Sequence, residues 1–167
     1  MAGRASILRR IRHAMRRGAY LVPTAAVPTA QREALAVVAR GLAAEPVDPD
    51  ELRARIDTLF VEGRIDAVMR LSALGVVAAS PAVRDLREAS RLAGQQELAA
   101  LELGGPWRDA YLASADRHRG VIAFLAGRDV VALDWFAKAL ERQRSPENVG
   151  NVLAVLIRLG ELAEAHE

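Results

Sequence analysis

Hydrophobic residues recur at helical spacing along most of the chain. The clearest stripe lies in residues 4–17, where apolar positions share one side of a helical period and arginines cover much of the rest. Its members are Ile7, Leu8, Ile11 and Met15. Pro23 and Pro28 interrupt any continuation. The pattern predicts a basic amphipathic helix and a Pro/Thr linker over residues 1–29, after which Thr29 is placed to cap a second helix that reaches Leu42.

Several later helix starts are marked by a polar residue that precedes a proline, at Asp48, Ser80 and Ser145. The polar side chain can accept a hydrogen bond from the first turn, and proline fits the first helical position because an N–H there would have no partner. Pro106 restarts the chain after two glycines, and we expect Asp129 to cap the helix that it precedes. The predicted helices span 49–62, 64–77, 81–93, 95–103, 106–126, 129–144 and 146–159, with a further fragment from Glu161.

Glycines at a regular spacing separate several of these helices. Gly63, Gly94, Gly127 and Gly160 lie 31, 33 and 33 residues apart, which is the period of a helical repeat array. Glycine can end a helix in a left-handed conformation that lets the chain return antiparallel. We therefore predict an all-α fold, in which antiparallel helical hairpins stack as a short solenoid.

Composition agrees with a helical chain and excludes several kinds of site. Aromatic residues make up only 4% and alternating β-branched runs are scarce, which argues against a β-sandwich or barrel. The chain contains no cysteine, so disulfides and thiolate chemistry are excluded. Its three histidines are far apart, and no phosphate-binding loop or nucleophile motif occurs. We expect no enzyme activity, no cofactor and no metal site.

The charge is distributed unevenly. The first 32 residues contain seven arginines and no acid, so the remainder carries a net charge of −5 within a total of +2. Lys138 is the only lysine among 23 basic residues, a bias typical of a GC-rich bacterial gene. The sequence predicts a separate N-terminal basic surface, which consists of Arg4, Arg9, Arg10, Arg12, Arg16 and Arg17.

The basic N-terminal helix admits several roles. It can dock on an acidic protein, lie at an anionic membrane interface, or contact nucleic-acid phosphate. It can also act as a targeting peptide, or pack its stripe on the rest of the chain. Protein docking is the favoured interpretation and membrane contact the next, while nucleic acid is the least favoured partner. We expect a cytoplasmic protein that can lie peripherally at the membrane.

The segment "GVIAFLAGRDVVALDWFAKALERQRSP" resembles a tetratricopeptide repeat. The matched positions are the small residues of two packed helices, a large residue, a turn glycine and a closing proline that stands two residues late. They are Gly120, Ala132, Ala139, Phe136, Gly127 and Pro146. The resemblance covers residues 114–165 and is weak earlier. It implies a right-handed solenoid over residues 30–167, with the clearest units at 106–167.

The resemblance also implies a partner-binding groove along the first helices of the repeats. The residues it assigns there are Arg117, His118, Val121, Phe124, Leu125, Glu147, Asn151 and Arg158. Asn151 matches an asparagine with which some family members hold a peptide backbone, and His118 stands at the corresponding position of the preceding repeat. Val121, Gly150 and Ala154 stand where a carboxylate clamp needs polar groups. We therefore expect a groove that is more apolar than such a clamp.

The chain stops at Glu167, just after the second helix of the last repeat should begin. An uncapped array leaves an apolar helix face for another chain, a second copy or further residues to cover. We predict a non-enzymatic adaptor or scaffold that binds a protein partner, or a copy of itself, through the groove and this C-terminal face. The alternatives are an accessory or N-terminal region of a larger enzyme or membrane-associated envelope or glycan assembly complex and, less favoured, a nucleic-acid-binding regulator. No small-molecule substrate is indicated.

Overall fold

The computed structural model describes residues 4–16, 48–103 and 107–160. Within these ranges the regular structure is helical and contains no strand, so the all-α prediction is confirmed. The helices are α1 (Arg4–Arg16), α2 (Pro49–Val61), α3 (Ala67–Ala79), α4 (Leu86–Glu102), α5 (Trp107–Leu125), α6 (Asp129–Arg142) and α7 (Pro146–Leu159). None of these helices is both long and apolar enough to cross a membrane. The helix predicted between Thr29 and Leu42, the restart at Pro106 and the fragment from Glu161 lie outside the described residues.

Two of the three predicted polar-proline starts begin helices. The Oδ1 atom of Asp48 accepts hydrogen bonds from the backbone nitrogens of Asp50 and Glu51, at 2.9 and 3.2 Å, where α2 begins. The Oγ atom of Ser145 accepts one from the backbone nitrogen of Asn148 at 3.3 Å, where α7 begins. Both side chains therefore satisfy N–H groups that the first turn leaves without partners.

The third predicted start, at Ser80, is wrong. Ser80 ends α3, and its carbonyl oxygen accepts hydrogen bonds from the nitrogens of Val83 and Arg84 in a turn. Helix α4 begins only after Asp85, whose Oδ1 accepts a hydrogen bond from the Glu88 nitrogen at 2.9 Å. The carboxylate of Asp85 caps the helix better because it also brings negative charge to the positive end of the helix dipole.

Three of the four periodic glycines adopt the predicted left-handed turn. The φ angle is 68° at Gly63, 71° at Gly127 and 76° at Gly160. Gly94 lies inside α4, so the predicted break there is wrong and one helix replaces two. The side chains that α4 buries are Ala89, Leu92, Ala93, Gln96 and Ala100. Their packing outweighs the roughly 1 kcal/mol that a glycine inside a helix costs relative to alanine.

From α2 to α7, each helix packs against the next one in the sequence, and α3 also contacts α5. At the contact between α5 and α6, a β-carbon on Gly120 would lie 2.4 Å from Cε1 of Phe136. Ala132 and Ala139 of α6 are fully buried. Small residues at these positions therefore let the two helices approach closely around the Phe136 ring.

Helix α1 packs on α6 through its apolar stripe. Ile7 and Ile11 are buried in a hydrophobic cluster that also contains residues of α5, α6 and α7. Beside the stripe, Arg10 donates two hydrogen bonds to Glu141, at 2.6 and 2.8 Å, and one to Asp134 at 2.8 Å. Of the arrangements left open for this helix, the structure shows the one in which α1 packs on the chain itself.

Candidate binding groove

A pocket of about 670 Å³ opens between α3, α5 and α7, and we call it the groove. Six of the eight residues predicted for a partner-binding groove line it. They are Arg117, His118, Val121 and Leu125 of α5, with Glu147 and Asn151 of α7. The helical spacing of these residues places them on the groove side of their helices. The structure therefore brings most of the predicted residues into one concavity.

The opposite wall comes from α3 and the turn that follows it. Val76, Ala79, Ser80 and Pro81 line this wall, and none of them was predicted. Helix α3 reaches α5 directly, in addition to the contacts that α4 makes with both helices.

Much of the groove surface is apolar. Val76 of α3 and Leu125 of α5 are 38% and 39% exposed, and Val121 is partly buried. Apolar walls with a few polar groups are the usual composition of a binding pocket, and the volume lies in the range of such pockets. The groove can therefore bury apolar groups of a ligand while its polar side chains fix the orientation.

Arg117 brings a positive charge into the groove without an ion pair in the described chain. Its shortest polar contact joins Nη2 to the hydroxyl of Ser114 at 3.5 Å, the outer limit of a hydrogen bond. Burial lowers the pKa of the guanidinium, and the charge of Glu147 opposes that shift. In contrast, Arg119 and Arg142 hold carboxylates at 2.5 and 2.8 Å. Arg117 is thus a cation of the groove that has no carboxylate in contact within the described chain.

Glu147 lines the same groove, but its carboxylate is held by the start of α7. Its pKa is lowered first by a hydrogen bond from the Ser145 hydroxyl, and next by one from its own backbone N–H. The positive charge of Arg117 adds a smaller lowering without an ion pair between the two side chains. Glu147 therefore contributes negative potential at the groove and does not neutralise Arg117 by contact.

His118 lies between the groove and α4. Its Nδ1 atom is 2.9 Å from Oε1 of Gln96, which is within hydrogen-bond distance. Burial, with a smaller contribution from the charge of Arg117, lowers the pKa of His118 to about 3. The imidazole is therefore neutral. It joins α5 to α4 and adds no charge to the groove.

Two further polar side chains of the groove have no hydrogen-bond partner within the described chain. The Oγ atom of Ser80 is buried without one. Asn151 lines the groove from α7, and its side-chain amide forms none of the hydrogen bonds in the described ranges. An amide and a hydroxyl can each donate to an incoming oxygen.

The two remaining predicted residues, Phe124 and Arg158, lie outside the lining and contact each other. The Arg158 guanidinium lies 3.7 Å from the centroid of the Phe124 ring, donates to the Phe124 carbonyl oxygen at 2.8 Å, and forms an ion pair with Asp129. The expectation that Asp129 caps α6 is wrong, because Arg128 holds the cap position and makes no side-chain capping bond. Asp129 stands in the first turn of α6, where its carboxylate interacts favourably with the positive end of the helix dipole and with the Arg158 guanidinium.

The predicted basic surface is divided by the packing of α1. Arg10 is bound to α6, and its pKa is raised chiefly by the hydrogen bond to Glu141. Arg4, Arg9 and Arg12 are exposed on α1. The side chain of Arg16 and the whole of Arg17 lie outside the described residues. Within the described part of the predicted surface, Arg10 is therefore engaged by α6, while Arg4, Arg9 and Arg12 are exposed.

Within the described ranges, no group of three or more His, Asp or Glu side chains is placed to hold a metal ion. The chemistry of the groove consists of one guanidinium, one carboxylate, a neutral imidazole, an amide, a hydroxyl and apolar walls. Comparisons of the chain with protein-family models, with curated proteins and with solved structures found no significant match.

Proposed function

We propose that this chain is a non-enzymatic adaptor that holds a segment of a partner protein in the groove between α3, α5 and α7. The observation that carries the proposal is the groove itself, about 670 Å³ with apolar walls, which alternate helices of the chain form together. Burial of apolar side chains of the partner supplies affinity, and the polar side chains of the groove orient the segment.

The proposal includes tetratricopeptide-like pairing of α5 with α6, continued by α7 in a right-handed solenoid. Two contacts support an antiparallel pair: Gly120 lies against Phe136, and Asp116, earlier in α5, forms an ion pair with Arg142, later in α6. The left-handed φ of 71° at Gly127 supports the turn between them. In such an array the first helices of successive units share one concave face.

The state of His118 supports binding over catalysis in the groove. A general base must be able to take a proton near its working pH. His118 is a poor candidate because burial lowers its pKa to about 3.

The packing of α1 argues against insertion of this helix into a membrane interface. Interfacial insertion needs the apolar stripe, and Ile7 and Ile11 are buried against the chain itself. The second contact that we propose for the adaptor is the outward face of α7, where Leu153 and Ile157 are exposed. Exposed apolar residues on one helix face are typical of interaction surfaces.

A site-specific photo-crosslinker tests this function in cells that naturally express the chain. It is placed at Leu125, which lines the groove, or at Val130, which is equally exposed at 39% but lies on α6 outside the lining. The proposal predicts a defined protein adduct from position 125 that position 130 does not give. Equal adducts from both positions, or none from the groove, would count against it.

A further inference from the structure

The groove presents a positive charge whose partner the described chain does not supply. Arg117 has only a 3.5 Å contact with Ser114, whereas Arg119 and Arg142 hold carboxylates in ion pairs. A partly desolvated guanidinium without a counter-ion is costly, and a carboxylate that arrives with a ligand removes that cost. The carboxylate can accept two parallel hydrogen bonds from the planar guanidinium, which adds geometric selectivity.

The side chains that follow Arg117 along α5 set the spacing of the other contacts. Arg117, Val121 and Leu125 all line the groove and stand four residues apart. Four residues of α-helix rise about 6 Å. Alternate side chains of an extended peptide are about 6.6 Å apart and point to the same side. An extended segment along α5 can therefore place every second side chain opposite one of these three residues.

Glu147 limits how much negative charge the groove accepts. Its carboxylate lines the groove and keeps a lowered pKa because the start of α7 holds it. A second acid beside the first would meet this negative potential, and like charges at an interface oppose binding. The groove is therefore suited to one carboxylate in an otherwise apolar segment.

We infer that the groove recognises an extended segment of the partner in which one Asp or Glu side chain pairs with Arg117, and apolar side chains two and four residues away contact Val121 and Leu125. The inference rests on the proposed function and specifies the chemistry of the segment. The hydroxyl of Ser80, which is buried without a partner, and the amide of Asn151 are further donors in the same groove.

A displayed library of random decapeptides tests the inference. Clones selected on the wild-type chain are kept as groove binders when Val76→Arg abolishes their binding and Val130→Arg does not. Among these clones we expect one Asp or Glu, with apolar residues at the second and fourth positions from it. The pattern can run in either direction along the peptide. Arg117→Gln should weaken binding of these peptides about tenfold or more. Replacement of the acid in the peptide by its amide should weaken binding to the wild-type chain by a similar factor. The two changes together should weaken binding little more than either change alone, because both remove the same pair.

Two matched variants separate pairing from general damage. Arg117→Lys keeps the charge without the fork and should restore part of the affinity. Arg87→Gln removes an exposed arginine of α4 that does not line the groove, and it should have no effect. Neither Arg117 variant should lower the melting temperature, because Arg117 forms no ion pair within the described chain that its replacement would break.

The outcomes distinguish the inference from the function on which it rests. Groove binders that lack the acid, or that bind Arg117→Gln as well as the wild type, would overturn the inference and leave the adaptor function standing. A library that yields no groove-dependent clone would count against the adaptor function as well.

Discussion

The ring of Phe136 fills the space that a β-carbon at position 120 would occupy, since such an atom would lie 2.4 Å from its Cε1. Helix α5 therefore needs glycine at this position to reach α6. Gly120→Ala should lower the free energy of unfolding by about 1–3 kcal/mol, the usual cost of overpacking a core. Gly150→Ala is the matched control, because a β-carbon there meets nothing within 4 Å. Urea denaturation of both variants measures the difference, and an equal effect would contradict the close contact.

Among the periodically spaced glycines, replacement by alanine should have opposite effects on stability at a helical position and at a left-handed turn. Gly94 is helical and a β-carbon there would meet nothing within 4 Å, whereas Gly127 has a φ of 71°. Gly94→Ala should stabilise the chain by about 0.5–1 kcal/mol because alanine favours the helix. Gly127→Ala should destabilise it by about 1–2 kcal/mol because its β-carbon crowds the left-handed conformation. Thermal and urea unfolding report both, and destabilisation by Gly94→Ala would contradict a continuous α4.

The helix starts and the groove residues show how far local sequence signals reach. The caps at Asp48 and Ser145 were predictable because a capping bond depends on neighbours within one turn. The groove residues of α5 and α7 were assigned from the resemblance to a tetratricopeptide repeat, and six of those eight residues line the groove. Gly94 gave the wrong prediction because the choice between a turn and a helix there depends on what α4 buries against other helices. The α3 wall was missed for the same reason.

The sequence pattern of α1 is compatible with several environments and does not by itself show where the helix packs. An apolar stripe with flanking arginines suits a membrane interface, a partner protein or the chain's own core. The signal that distinguishes them lies far away in the sequence. Asp134 and Glu141 are seven residues apart on α6, which puts both on one helix face, and Arg10 binds both.

Docking of α1 predicts a contrast between two substitutions in the same helix. Ile7→Ala removes a buried side chain and should lower the free energy of opening α1 by about 2–4 kcal/mol. Arg9→Ala changes an exposed position and should change this free energy little. Native-state hydrogen exchange of the α1 amides measures the opening free energy. Equal exchange in the two variants would show that the stripe does not hold α1 on α6.

His118 predicts a loss of stability on mild acidification. Its folded pKa of about 3 lies below the ordinary value of 6.5, so the unfolded chain binds the proton first and stability falls as the pH drops below about 6.5. Between pH 7 and 5 the loss should be about 1–2 kcal/mol. Glu97, whose pKa is also lowered, begins to contribute only near or below its ordinary value of 4.5.

The contribution of His118 is isolated by comparing slopes and not absolute stabilities. His118→Gln should flatten the dependence of unfolding free energy on pH between pH 7 and 5. His13→Gln, which removes an exposed imidazole of α1, is the control. An unchanged slope in His118→Gln would contradict a neutral imidazole with a lowered pKa at this position.

The most direct test of the adaptor function is the affinity of the crosslinked partner for three variants of the purified chain. Val76→Arg and Leu125→Arg place charge on the two facing walls of the groove, and Val130→Arg places it at a position of similar exposure outside the lining. We predict that each groove variant weakens binding about tenfold or more, since a buried unpaired charge at an interface is costly, while Val130→Arg binds as the wild type does. Equal affinity of all three variants and the wild type would contradict the proposal that the groove is the binding site.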